Sequence, residues 1–97
     1  MVVSAAQLRA ARSLLGLSQP DVALAAHLST MTVKRAEGAG SPSASRQAVE
    51  AIQAALEAAG VEFIAENGGG AGVRLRRADG PRDEGKRPEE LDATNDD

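Results

Sequence analysis

The 97-residue chain has no cysteine, tryptophan or tyrosine, and its one phenylalanine is Phe63. Without cysteine there is no disulfide framework and no thiolate zinc site. The single histidine, His27, cannot assemble a metal centre alone. A core lacking aromatics must be made of Ala, Leu and Val. At roughly 25 cal/mol per Å² of buried apolar surface, such a core leaves a thin margin over chain entropy, and self-association is expected to add to it. No run approaches the ~20 apolar residues of a membrane span, and the N-terminus lacks the basic-then-apolar layout of a signal peptide. One small cytoplasmic domain with no membrane contact is expected.

Charge is unevenly distributed. The net charge of -3 conceals a mildly basic front part: residues 1–77 carry eight basic and six acidic side chains, a balance of +2. Residues 78–97 carry three basic and eight acidic ones, a balance of -5. That last segment, ADGPRDEGKRPEELDATNDD, has almost no large apolar group and is expected to be a disordered acidic tail.

Catalytic chemistry finds no footing. There is no Cys, one His, and no carboxylate pair that spacing brings to one cleft, so an enzyme is not expected. The run NGGGAG at 67–72 lacks the GxxxxGK[ST] pattern and precedes a strand rather than a helix. It reads as a hairpin loop, and no metal or cofactor is expected.

Four helices and a hairpin follow from local signals. Ser4 and Gln7 form a capping-box pattern, Leu8, Ala11 and Leu15 one apolar stripe, and Gly16 a stop, which predicts a helix over 5–15. Ser18, Pro20 and Asp21 open a second helix to about Ala26, with Val22, Ala23 and Ala26 inward. Ser29 caps a third through about Glu37, with Val33 and Ala36 inward and Gly38 as stop. After the GAGSPSAS loop a longer helix runs from about Ser45 to Ala59, with a stripe of Val49, Ile52, Leu56 and Ala59. At Val61 the period changes from 3.6 to 2: Val61, Phe63 and Ala65 alternate with Glu62, Ile64 and Glu66, and Val73 and Leu75 with Arg74 and Arg76. A hairpin pairing Phe63 with Val73 or Leu75 is predicted, with Glu62 or Glu66 opposite Arg74 or Arg76. An isolated hairpin is marginal, so it needs a helix surface or a second copy of itself.

Two helices joined by three residues are a DNA-reading layout in which the second helix enters the major groove. The order SQPDVALAAHLSTMTVKRAEG closely resembles the lambda-repressor/Cro-like (XRE) helix-turn-helix family. The lead Leu8, Ala11, Arg12, Leu15, Gly16, Leu17, Ser18 and Gln19 carries the likeness, with Ala23, Ser29, Thr32, Val33, Glu37 and Gly38, over roughly residues 4–60. Two positions depart from the pattern: His27 stands where the family has a turn glycine, and Ala36 where it has a large aliphatic. His27 is read as a turn residue in preference to a pH switch.

The resemblance implies a mainly α, four- to five-helix lambda-repressor-like domain over residues 1–60. It implies a nucleoid-associated regulator of transcription, more a repressor than an activator, whose partner is double-stranded DNA. Position by position, Gln19 corresponds to a phosphate anchor that buttresses the reading helix, and Thr30 and Met31 to residues that meet base edges. Lys34 and Arg35, one turn on, reach guanine or phosphate. Thr32 shares that helix beside the cap and is read as more structural, and Ser41, Ser43 and Arg46 flank the fourth helix as phosphate ligands. Arg9, Arg12 and Glu37 are read as partners in an intradomain ion pair. A homodimer on a palindromic operator is expected, assembled through the fourth helix and the hairpin over 61–77: Val49, Ile52, Leu56, Val61, Phe63, Val73 and Leu75. Two rival readings stand beside it, an antitoxin whose C-terminal segment binds a toxin, and a protein-interaction module that does not read DNA.

Overall fold

The computed structural model describes residues 2–76; the expected acidic tail over 78–97, and Arg77, lie outside the described residues. Helices α1 (Ala5–Leu15), α2 (Gln19–Ala26), α3 (Thr30–Ala36) and α4 (Arg46–Ala59) are followed by strands β1 (Val61–Ile64) and β2 (Gly72–Leu75). Of the four to five helices expected, the described residues form four.

Each helix begins on a serine that satisfies an orphan amide. Ser4, Ser18, Ser29 and Ser45 accept from Gln7, Asp21, Thr32 and Ala48 N–H, all at 3.1 Å. In α1 and α2 the bond is reciprocated: Gln7 Oε1 accepts from Ser4 N–H at 2.8 Å and Asp21 Oδ2 from Ser18 N–H at 2.9 Å. Gly16 closes α1 in the left-handed region, and at the end of α2 His27 does the same at φ 59°, where a β-carbon is unfavourable.

Leu8, Ala11, Val22, Val33, Ile52, Leu56 and Val61 are almost wholly removed from solvent and form one core with Val3, Ala23, Ala36 and Phe63. Helix α4 packs against α1, α2, α3 and β1. Its buried line is Ala48, Ile52 and Leu56, spaced by four, so the expected stripe turns slightly: Val49 is half-buried and Ala59 is exposed.

The hairpin is antiparallel, with Val61 opposite Leu75, Glu62 opposite Arg74 and Phe63 opposite Val73. Glu62 and Arg74 form an exposed ion pair at 3.0 Å. A helix surface supports the hairpin within one chain: β1 and β2 lie against α1, and β1 also against α4. Gln7 secures that docking. Its amide nitrogen donates to the Ile64 carbonyl at 3.2 Å and the Gly72 carbonyl at 3.0 Å, which ties the start of α1 to the loop end of the hairpin.

Of the expected dimerisation set, Ile52, Leu56, Val61 and Phe63 lie buried in the chain's own core, where the hairpin folds back on α1 and α4. Of the set, Val49 and Val73 are half-buried and Leu75 is exposed.

Two stability outcomes follow from these contacts. His27→Gly relieves the left-handed strain and should raise unfolding free energy by about 1 kcal/mol, read as a higher urea midpoint at unchanged slope. Gln7→Glu keeps the acceptor for Ser4 but removes the donors for two carbonyls, and should lower stability by about 1–3 kcal/mol in the same assay.

Candidate nucleic-acid interface

Between α2 and α3 lie three residues, His27, Leu28 and Ser29. The left-handed turn at His27 is closed by Leu28 N–H donating to the Ala23 carbonyl at 2.9 Å, and Leu28 packs against the core. Serine 29 then starts α3. Val33 and Ala36 face inward, so the residues between them point out. Thr30 and Lys34 are one turn apart on the outer surface, as are Met31 and Arg35. Lys34 is exposed, Met31 is 51% exposed, and Thr30 and Arg35 are half-exposed.

What holds this helix is the carboxylate just past its end. Glu37 is a buried acid, its side chain only 3% exposed. Arg12 of α1 grips both oxygens, Nε to Oε2 at 2.8 Å and Nη2 to Oε1 at 3.1 Å, a charge-assisted fork. Gln19 of α2 donates to Oε1 at 3.0 Å. Arg12 also donates to the Leu17 carbonyl at 3.2 Å, and Arg9 donates to the Glu37 carbonyl. The hydrogen bonds that Arg12 donates to the Glu37 carboxylate hold its guanidinium above its ordinary pKa, against the opposing effect of burial. The expected ion pair is therefore Arg12 with the Glu37 side chain, while Arg9 binds the Glu37 backbone.

The sequence-derived candidates divide by what they touch. Gln19 buttresses the end of α3 with one amide hydrogen, and its amide nitrogen carries a second. The Thr32 hydroxyl is engaged with Ser29 Oγ at 2.9 Å, which makes it part of the cap. Thr30, Met31, Lys34 and Arg35 share one outer helix surface. Ser41 and Ser43 are exposed in the loop before α4. Arg46, in the first turn of α4, borders a hollow of about 130 Å³ lined by Val2, Val3, Val49, Glu50 and Gln53. Among the described residues no group of three or more His, Cys, Asp or Glu side chains is placed to hold a metal ion, and no helix is long and apolar enough to cross a membrane.

The glycine loop is internally satisfied. Glu66 accepts from Gly68 N–H at 3.0 Å and Gly70 N–H at 3.1 Å, so the chain's own carboxylate takes the amides that a phosphate would use.

Leu24, 80% exposed on α2, was not among the sequence-derived candidates. An isolated surface leucine carries no signal in composition or spacing. The double use of Gln7 was equally hidden, since the capping pattern accounts for its Oε1 and says nothing of its Nε2.

The sequence matches no protein-family model and no curated protein.

Replacing Glu37 by Ala leaves Arg12 without its partner in a half-buried site and should cost about 3 kcal/mol, measured by urea unfolding. Acid sensitivity has a separate source. Ser18 N–H, and then its hydroxyl, hold the exposed Asp21 carboxyl below its usual pKa. A group with a depressed folded pKa stabilises above its unfolded value, near pH 3.9, and loses that contribution as pH falls through the folded value. Asp21→Asn should therefore flatten the acid limb of the stability–pH curve below about pH 4.

Proposed function

We propose that the protein is a sequence-specific double-stranded DNA-binding regulator of transcription, acting as a repressor, of the lambda-repressor/Cro-like helix-turn-helix type. The observation that carries this reading is α3 itself. It follows α2 by three residues, its far end is tied through Glu37 to α1 and α2, and it offers Thr30, Met31, Lys34 and Arg35 to solvent on one surface. A helix held this way keeps its orientation when it meets DNA, and an α-helix fits the width of the major groove.

The chemistry of the four side chains suits that surface. A threonine hydroxyl serves donor or acceptor base edges, and a methionine methyl packs against the thymine methyl. Arginine grips guanine with two bonds, and lysine acts as a point charge for guanine or phosphate. The second amide hydrogen of Gln19 and the hydroxyls of Ser41 and Ser43 are phosphate ligands that set register without reading sequence. Seven residues of helix give a small contact, so specific affinity calls for two copies on a palindromic site whose half-sites are centred roughly 34 Å apart. Such a protein works on the nucleoid in the cytoplasm.

Selection of bound duplexes from a random pool tests this directly. The expected outcome is a palindromic motif whose affinity falls steeply with added salt, as counterion release requires. Arg35→Ala and Lys34→Ala should each weaken binding, and the one that reads a base should relax preference at a single position by ~1–3 kcal/mol. No enrichment and no duplex binding at low salt would sink the regulator reading and favour a protein-interaction module.

A further inference from the structure

We propose that Asn67 is a site of self-modification: in the glycine loop after β1 its side chain closes onto the Gly68 nitrogen with loss of ammonia, and the asparagine becomes an acid. Three hydrogen bonds within residues 66–70 assemble that reaction. The Gly68 N–H, the nucleophile, donates to Glu66 Oε2 at 3.0 Å. The Asn67 side-chain carbonyl, the electrophile, accepts from the Gly69 N–H at 3.3 Å through Oδ1. The Gly70 N–H donates to the same Glu66 Oε2 at 3.1 Å and holds the carboxylate in place.

Each contact has a use in the closure. A backbone amide is a poor nucleophile while it keeps its proton, and a carboxylate within hydrogen-bond reach can take that proton as the new bond forms. Negative charge gathers on Oδ1 in the tetrahedral intermediate, where the Gly69 N–H already donates. Ring closure also needs an unhindered nitrogen. Residue 68 is a glycine at φ 100°, and nothing lies within 4 Å of the position a β-carbon would take there. Nucleophile and electrophile belong to adjacent residues, so no binding step precedes the reaction. Asn67, Gly68 and Gly69 are all exposed, which lets water in and ammonia out.

The atoms balance with water as the only co-reactant. The Gly68 nitrogen bonds to Asn67 Cγ and gives its proton to Glu66, which passes it to the departing Nδ2. The Cγ–Nδ2 bond breaks, and ammonia leaves a succinimide. Water then opens the ring at either carbonyl, giving aspartate, or isoaspartate with one more carbon in the backbone. Either product carries a new carboxylate, which takes the net charge of -3 one unit lower. The loop lies between the paired residues 61–64 and 72–75, and Gln7 holds the hairpin at Ile64 and Gly72 on either side of it. The modified chain therefore keeps its fold. This chemistry is independent of DNA reading.

The test is incubation of the full chain in warm neutral buffer. Acidic species are followed by ion exchange, and peptide mapping separates residue 67 from Asn95, the other asparagine. Conversion at residue 67, with isoaspartate detected by enzymatic methylation, should run at least about tenfold faster in the native chain than in guanidinium, because the three hydrogen bonds exist only in the folded loop. Glu66→Gln keeps an acceptor for both amides and cannot take a proton. It should slow conversion of the native chain at least about tenfold and leave the rate in guanidinium unchanged, whereas a merely structural role for Glu66 predicts no slowing. A native chain that converts no faster than the unfolded one would overturn the proposal. So would a folded Glu66→Gln chain that converts at the parent's rate.

Discussion

The buried carboxylate of Glu37 is the constraint on which the arrangement of the helices depends. It lies past the end of a seven-residue helix too short to be stable by itself, and it is held by Arg12 from α1 and Gln19 from α2. Removing an ion pair from water offsets much of its own attraction, so the gain in raw stability is modest. What the pair supplies is geometry: a fork of two bonds and a third donor admit one orientation of α3 against the other two helices. The apolar core, made of small residues with no aromatic on any helix, gives much less directional information than a bulky interlocking one.

Much of this was legible because its signals are local. Four serines, each starting a helix, and Gly16 mark boundaries through hydrogen bonds made within a few residues of themselves, and the structure puts the helices there. The change of period at Val61 announced the hairpin for the same reason, since alternation along a strand is read one residue at a time. Tertiary use was harder to see. Gln7 satisfies its capping pattern and yet also binds two carbonyls nearly sixty residues away or more. Val49 was expected to lead the buried stripe of α4, but the roll of the helix is decided by what packs on it, and Ala48 took that place.

The same limit applies to the residues expected at a dimer surface. A sequence shows which residues are apolar and leaves open whether they turn toward their own chain or another one. Ile52, Leu56, Val61 and Phe63 are the buried large apolar side chains that α4 and the hairpin supply, and a core short of aromatics uses all of them.

Helix α1 connects the hairpin to α3. At Gln7 it holds the hairpin, and at Arg12 it holds the end of α3. Five residues of α-helix span roughly 7.5 Å, so the loop end of the hairpin and the end of α3 are fixed to two points on one short rigid rod. Gln7 and Arg12 therefore fix the hairpin and the end of α3 relative to each other as well as contributing to the stability of the chain.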